Sequence, residues 1–216
     1  MSKKAYLFSG LGSDERVFKY LTLPPHVEIV VIRWEQPGEN EDIADYAKRL
    51  CSQIEEPGGI YLGVSFGGII AIEVDKHIKA SKIVLLSSVK EAKELPGFFK
   101  VAGKLRFYKM ANVKLIQKES RWLFNMYGVN GPEHQALLMA LFRDLDPTFF
   151  KWAIKQMMLW RHEHDNNNVI HIHGSADKAF PFKQLKKVDY VVKDGGHFMV
   201  FDRVEELNPI LEKAMI

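Results

Sequence analysis

Three residues of this chain have the side chains and the local sequences of a nucleophilic site. Ser65 lies in the pattern Gly-Val-Ser-Phe-Gly, Asp177 in the segment HGSADKAFP and His197 in the segment GGHF. A serine hydroxyl becomes an effective nucleophile when an imidazole takes its proton, and a carboxylate must orient that imidazole. The three residue types therefore predict acyl-transfer chemistry, with the serine as nucleophile, the histidine as base and the aspartate as its partner.

The sequence around Ser65 predicts a sharp turn between two apolar elements. Residues 60–63 have the composition of a buried strand, and residues 66–77 that of a helix. A serine at such a turn exposes its hydroxyl, and glycines are needed on both sides because strand and helix pass close together. The competing interpretation is a glycine-rich turn in which the serine only caps the helix.

The rest of the chain alternates between strands and helices. Further strands are predicted at residues 4–8, 27–32, 82–86, 169–173 and 190–192, and further helices at 42–54 and 204–214. The strands lack polar alternation, which is typical of parallel strands buried on both faces. We predict an α/β fold: one domain over residues 1–216, built as a three-layer sandwich with a mainly parallel six-stranded sheet. Asp177 and His197 each follow a strand, where the ligands of such sheets bind.

One stretch, residues 88–161, shows no strand pattern and is rich in aromatic residues, methionine and lysine. It predicts a helical cap or lid insertion at about residues 88–145. Aromatic and methionine side chains suit an apolar acyl pocket, although packing among the helices explains each of them equally well. The candidates for substrate binding are Phe98, Phe99, Trp122 and Phe124, with Met126, Met139 and Phe142 as further pocket residues.

The same insertion is basic. Residues 90–121 contain nine lysines or arginines and three glutamates. The interpretation we favour is a solvated face of amphipathic helices whose apolar side covers the active site. The alternative is an electropositive lid that attracts anionic acyl substrates or contacts a membrane surface.

Composition and charge restrict the other partners. The net charge is +3, from 30 basic and 27 acidic residues, so no nucleic-acid binding is predicted. The single cysteine, Cys51, excludes an internal disulfide and a multi-cysteine zinc site. The N-terminal apolar run is too short for a signal peptide, and no stretch has membrane-spanning length. We therefore expect a cytoplasmic protein without stable membrane insertion, acting on a small acyl substrate, and its oligomeric state stays open.

Four histidines raise the question of a metal site, and one further aspartate is an alternative partner for His197. His171 and His173 share a face of a predicted strand, and His162 and His164 lie nearby in sequence. A zinc site needs three or four converging ligands, so structural histidines are favoured and no metal site is predicted. Asp194 is an alternative to Asp177 as the carboxylate that orients His197. It is a minor one, because Asp194 is only three residues from His197 on a tight glycine turn and would reach the ring with strain.

Four segments, in this order along the chain, resemble those of the α/β-hydrolase superfamily: FSGLG at residues 8–12, GVSFGG, HGSADKAFP and GGHF. The resemblance spans nearly the whole chain, and its order of serine, aspartate and histidine is the one that this fold uses. It implies an α/β-hydrolase core and an oxyanion hole made by the backbone N–H groups of Leu11 and Phe66. Ser9 departs from the pattern, because many relatives have a histidine there.

The resemblance and the residues together predict a serine hydrolase of the carboxylesterase or thioesterase type, which forms an acyl-enzyme on Ser65 and needs no cofactor. Acyl transfer or C–C bond hydrolysis by the same three residues is an alternative, since the fold does not fix the substrate. Another alternative is a protein of this fold that binds a ligand and has only weak catalytic activity. A serine rather than an aspartate at position 65 argues against the epoxide-hydrolase and dehalogenase branches.

Overall fold

A computed structural model describes residues 3–163 and 168–216, and His164 lies outside them. Six strands form one sheet in the order β2-β1-β3-β4-β5-β6, and every neighbouring pair is parallel. The six-stranded sheet predicted from the sequence is confirmed, and it is parallel throughout. The strands are β1 (Lys3–Phe8), β2 (Val27–Ile32), β3 (Ile60–Val64), β4 (Lys82–Leu86), β5 (Val169–Gly174) and β6 (Tyr190–Val192).

Nine α-helices and several short 3₁₀ turns connect the strands within the described residues. The first helix begins after Asp42, whose carboxylate accepts hydrogen bonds from two N–H groups of the first turn. No helix in residues 3–163 and 168–216 is long and apolar enough to cross a bilayer. The helices are α1 (Ile43–Leu50), α2 (Phe66–Asp75), α3 (Gly97–Lys104), α4 (Lys114–Gln117), α5 (Arg121–Tyr127), α6 (Pro132–Asp144), α7 (Pro147–Leu159), α8 (Met199–Asp202) and α9 (Val204–Ala214).

The helices cover both faces of the sheet and bury one apolar cluster on each. Successive residues of β1 alternate between the clusters: Tyr6 packs with side chains of α1, α2 and α7, and Leu7 packs with those of α6, α8 and α9. This alternation follows from the two-residue repeat of a strand. The arrangement is the three-layer sandwich that the sequence predicts.

The segment between β4 and β5 is helical, and its described part contains no strand. It holds helices α3 to α7. The last of them, α7, packs against the sheet through Phe149, Trp152 and Ala153, which are buried in the same cluster as Tyr46 of α1. Helix α3 contacts α7, and α4 contacts α6. Helices α5 and α6 bury side chains in the other cluster, among them Leu123 and Phe142, so the insertion is fixed to the core through its last three helices.

Candidate active site

Ser65 lies at the turn between β3 and α2 with φ 52° and ψ −121°. A positive φ is unfavourable for a residue with a side chain, so the surroundings must hold this turn in place. The Ser65 N–H donates to the carbonyl of Leu86 at 2.9 Å, and the Ser65 carbonyl accepts from the Ser88 hydroxyl at 2.7 Å. Both partners lie at the end of β4. The neighbouring strand therefore fixes the strained residue.

The glycines around Ser65 are required by close backbone contacts. A Cβ added at Gly63 would lie 2.4 Å from the Cα of Gly68. A Cβ added at Gly67 would lie 2.2 Å from the carbonyl oxygens of Phe8 and Ser9. Neither position has room for a methyl group. The Gly-x-Ser-x-Gly pattern is therefore explained by the crossing of α2 over β1 and β3.

The side chains of Ser65, His197 and Asp177 form a chain of hydrogen bonds. Ser65 Oγ lies 2.8 Å from His197 Nε2, and His197 Nδ1 lies 2.8 Å from Asp177 Oδ2. An ionised carboxylate only accepts, so Nδ1 carries the proton and the lone pair of Nε2 faces the serine hydroxyl. That orientation is the one a general base for Ser65 needs.

Asp194 does not take the place of Asp177. It is exposed, it has φ 56°, and its N–H donates to the Ser175 hydroxyl at 2.8 Å. The carboxylate that contacts the imidazole is that of Asp177, which follows β5 and reaches the ring from the neighbouring strand.

The Asp177 carboxylate is buried and accepts several hydrogen bonds. Its Oδ1 accepts from the N–H groups of Ala179 and Phe180, both at 2.8 Å. Its Oδ2 lies 3.2 Å from His173 Nε2 in addition to the contact with His197. Burial alone raises the pKa of Asp177, but the charge of His197 and the hydrogen bonds from both imidazoles lower this pKa well below its usual range. The carboxylate therefore stays ionised.

His173 contacts this carboxylate and His171 contacts His173, an arrangement that the sequence did not reveal. His173 Nε2 lies 2.8 Å from the Phe180 carbonyl, and His171 Nε2 lies 3.0 Å from the Ser88 carbonyl. A carbonyl only accepts, so both Nε2 atoms carry hydrogens. His173 Nδ1 lies 3.3 Å from His171 Nε2 and accepts from it. The two buried histidines thus connect the end of β4 to Asp177.

Because His171 is buried, it is expected to make the protein less stable at acidic pH. Burial, and then the charges of His173 and Lys90, lower the pKa of His171 from 6.5 to about 3. Between pH 6.5 and about pH 3, His171 is therefore protonated in the unfolded chain but not in the folded chain. The free energy of unfolding consequently decreases as the pH is lowered through this range. We expect this residue to lower the free energy of unfolding by about 2 kcal/mol between pH 7 and pH 5.

The expected difference is measured by urea unfolding at the two pH values. His171→Phe should remove this part of the pH dependence, although it also lowers stability at both pH values. His26 is exposed and gives a matched control, since His26→Phe should keep the wild-type difference. An unchanged pH dependence in His171→Phe would contradict the prediction.

The loop after β1 borders Ser65 and is held by serine hydroxyls. Ser9 Oγ donates to the Ser13 carbonyl at 2.8 Å, and Ser13 Oγ donates to the Gly10 carbonyl at 2.9 Å. These bonds anchor the loop at position 9, where the sequence departs from the pattern it otherwise resembles. The described residues provide no acceptor for the Leu11 N–H, and the Phe66 N–H lies in the first turn of α2, where no intrahelical acceptor exists. Both N–H groups are therefore available to a ligand.

A cavity of about 420 Å³ opens beside Ser65 and His197. Its walls come from the loop after β1, the insertion helices α3, α4, α5 and α7, and the loops after β5 and β6. Most of its lining is apolar, which suits an apolar ligand group. The lining residues are Gly10, Leu11, Ser65, Phe98, Phe99, Ile116, Trp122, Leu123, Met126, Tyr127, Phe150, Ile154, Met157, Lys178, Ala179, Phe180, His197 and Phe198.

Three of the pocket residues suggested by the sequence do not line this cavity. Phe124, Met139 and Phe142 are buried in the apolar cluster that also contains residues of α8 and α9. Phe124 follows Trp122 by two residues on α5, so the two side chains project from nearly opposite faces of the helix. Met126 follows Trp122 by four residues and lines the cavity on the same side.

The described residues contain no group of three or more histidine, cysteine, aspartate and glutamate side chains that could hold a metal ion. His171 and His173 are adjacent, with ring centroids 5.2 Å apart, but both Nε2 atoms donate to carbonyl groups. Their positions are explained by hydrogen bonds within the protein.

No protein-family model matches the chain, and no curated protein matches its sequence. Solved structures do resemble it. A bromoperoxidase from Bacillus anthracis is 15% identical with a TM-score of 0.67, over 98% of this chain and 91% of that one. An esterase from Exiguobacterium antarcticum is 16% identical with a TM-score of 0.64, over 97% of this chain and 90% of that one.

A third similar structure belongs to epoxide hydrolases of the α/β-hydrolase superfamily, found in metagenomes from hot environments. It is 11% identical with a TM-score of 0.67, over 100% of this chain and 91% of that one. The three proteins have different activities, so the likeness identifies the architecture and leaves the reaction open. The chain has the α/β-hydrolase fold.

Proposed function

We propose that this protein is a serine hydrolase that cleaves carboxylic esters or thioesters through an acyl-enzyme on Ser65. The observation that carries the proposal is the chain of hydrogen bonds from Ser65 Oγ through His197 to Asp177. It begins at a strained turn that presents the hydroxyl to an apolar cavity. Nucleophile, base and orienting carboxylate are the three parts that this reaction requires.

Acylation follows from the orientation of the imidazole. Ser65 Oγ attacks the carbonyl carbon of the substrate while His197 Nε2 takes the hydroxyl proton. The tetrahedral intermediate then expels the alcohol or thiol, which receives that proton from His197. Asp177 stays ionised, so it stabilises the imidazolium that exists between the two proton transfers.

In the proposed mechanism, two backbone N–H groups donate hydrogen bonds to the oxyanion of the intermediate. The N–H of Phe66 directly follows the nucleophile at the start of α2, where the helix dipole favours negative charge. The N–H of Leu11 comes from the loop after β1, which borders Ser65 and lines the cavity. One such donor contributes about 3–4 kcal/mol to the stabilisation of the transition state in comparable enzymes.

Deacylation uses the same groups in reverse roles. His197 takes a proton from water, the water attacks the acyl carbonyl, and Ser65 leaves with that proton. The apolar cavity holds the acyl chain during both steps, with the cap at about residues 88–145 forming its outer wall. Phe98, Phe99 and Trp122 are the aromatic residues that we place against this chain.

Two other activities use the same geometry. An alcohol or thiol that replaces water in the second step makes the protein an acyltransferase, and a carbanion leaving group makes it a C–C bond hydrolase. Of the similar structures, the esterase supports ester hydrolysis. Position 65 is a serine rather than an aspartate, which argues against the chemistry of the epoxide hydrolases. A ligand-binding protein with weak catalysis would keep the cavity without turnover.

The test is covalent trapping combined with a substrate panel. We expect a fluorophosphonate probe to label the wild-type protein once, on the peptide that contains Ser65. We also expect a burst of product from p-nitrophenyl esters, equal to one product molecule per active site. Ser65→Ala should show neither effect, whereas Ser52→Ala, at an exposed serine, should show both.

Labelling at another residue, or no turnover of any ester or thioester, would refute this mechanism. Products formed with added alcohols or thiols at the expense of the free acid would instead identify an acyltransferase. A ligand that raises the melting temperature and is never consumed would favour the binding protein.

A further inference from the structure

Exposed apolar side chains are concentrated in one stretch of the insertion. Six large apolar side chains between residues 98 and 122 are each 56–75% exposed. The four other exposed large apolar residues among the described positions are scattered, from Ile29 to Ile216. Concentrated apolar surface of this kind marks an interaction site, whereas single exposed residues do not. The six are Phe98, Val101, Leu105, Met110, Leu115 and Trp122.

The same stretch is strongly basic. Residues 97–121 hold seven of the 30 basic residues of the chain and one of its 27 acidic residues. Five of the seven cations have described side chains, and all five are exposed. In the part of the chain that the structure describes, none of these five forms an ion pair with a carboxylate. The five are Arg106, Lys109, Lys114, Lys118 and Arg121.

This surface reaches the cavity that contains Ser65 through two of its exposed apolar residues. Phe98 of α3, Ile116 of α4 and Trp122 of α5 all line the cavity, so the three short helices meet around one opening. Phe98 and Trp122 are also 62% and 63% exposed, so they extend from the cavity to the outside. The exposed apolar surface is therefore continuous with the interior of the cavity at these two residues.

We propose that residues 97–122, named here the basic apolar face, dock onto an anionic lipid surface. Exposed aromatic and aliphatic side chains interleaved with unpaired cations are the composition of interfacial segments. Each lysine or arginine near an anionic leaflet strengthens binding, and the apolar side chains enter the region between headgroups and acyl chains.

The positive charge of the basic apolar face favours an anionic lipid surface over a second copy of the chain as its partner. Two basic apolar faces brought together would oppose the five described cations of one with the five of the other, and Glu119 is the one acidic residue that the sequence has in this stretch. An anionic lipid surface satisfies both the charge and the apolar side chains. It also places the opening of the cavity at the membrane, where an amphiphilic ester or thioester can enter without crossing water. This last consequence rests on the hydrolase function proposed above, and the docking itself does not.

The experiment is vesicle binding by the full chain carrying Ser65→Ala, which keeps the surface and removes turnover. Vesicles of phosphatidylcholine are compared with vesicles that also contain phosphatidylglycerol. We expect co-sedimentation with the anionic vesicles only, weakening as salt is added. The emission of the exposed Trp122 should shift to shorter wavelength on binding. Wild-type protein should behave in the same way.

Two double variants test the two components of the surface. Lys109→Gln/Lys114→Gln should lower the partition coefficient on anionic vesicles by about fivefold per cation. Met110→Ser/Leu115→Ser should lower it by about tenfold or more, through loss of buried apolar area. None of the four residues lines the cavity, so hydrolysis of a water-soluble ester by these variants on the wild-type background should be unchanged.

Matched controls carry the same changes elsewhere on the surface. Lys48→Gln/Lys213→Gln and Ile29→Ser/Val191→Ser alter exposed residues outside the basic apolar face, and they should bind as the parent does. Melting temperatures check that each variant is folded.

Four results would overturn the proposal: no binding to anionic vesicles, equal losses in the control variants, binding to an acidic protein but not to vesicles, or a dimer in sedimentation equilibrium that the Met110→Ser/Leu115→Ser variant dissociates. Failure of vesicle binding with normal ester turnover refutes the docking surface alone. Loss of turnover with normal vesicle binding refutes the hydrolase function alone.

Discussion

Ser65→Ala is expected to lower kcat/KM for an activated ester by about 10⁵- to 10⁶-fold, because the proposed acyl-enzyme forms on this hydroxyl. His197→Ala is expected to have an effect of similar size. Its imidazole lies 2.8 Å from Ser65 Oγ and is the base in the proposed mechanism. The measurement is the hydrolysis of p-nitrophenyl esters by each purified variant, with Ser52→Ala as the matched control.

The double variant Ser65→Ala/His197→Ala decides whether the two residues act as a unit. Once the nucleophile is absent the base has no proton to take, so the double variant should be no slower than Ser65→Ala alone. If the two losses multiply instead, the residues contribute independently, and the proposed mechanism is wrong.

Gly67→Ala is expected to destabilise the fold by about 3 kcal/mol or more. The added methyl carbon would lie 2.2 Å from two carbonyl oxygens, those of Phe8 and Ser9. Both oxygens belong to backbone at the end of β1, so no side-chain rotation relieves the contact. Either α2 moves away from the sheet or the loop that carries Leu11 moves. The free energy of unfolding from urea titration is the measurement, and turnover should fall in whatever fraction still folds.

Gly97→Ala is the matched control for this substitution. Gly97 is exposed in the first turn of α3, and a Cβ there meets no atom within 4 Å. Alanine has the higher helix propensity, so a small gain in stability of up to about 1 kcal/mol is expected. Similar losses in both variants would mean that glycine flexibility, rather than the crossing of α2 over β1, explains the motif.

The sequence predicts the sheet correctly, and it identifies three residues that the structure brings into contact, because both depend on local patterns. Apolar runs without polar alternation identify buried parallel strands, and the carboxyl ends of such strands meet at one edge of the sheet. Asp177 and His197 each follow a strand, so their meeting with Ser65 is a consequence of topology. The helix at Val204–Ala214 was also predicted with the bounds that the structure shows.

The features that the sequence did not reveal depend on packing between distant segments. His173 contacts Asp177, and Ser88 donates to the Ser65 carbonyl, but a strand histidine and a loop serine carry no local sign of these contacts. The cavity lining is a second example. Composition identified aromatic residues in the insertion, but the direction of each side chain on α5 separated Trp122 from Phe124. The short helix α8 was missed because a single turn has no periodicity to detect.

The positions of the site residues along the chain have a consequence for folding. His197 and Asp177 are 20 residues apart, whereas His197 and Ser65 are 132 residues apart. The base and its carboxylate can therefore meet as soon as β5 and β6 pair, but the nucleophile joins them only when the first and last thirds of the chain have docked across the whole sheet. Contacts of such long separation form late and slowly. If the proposed hydrolase activity is present, its recovery after dilution from denaturant should therefore follow the completion of the sheet.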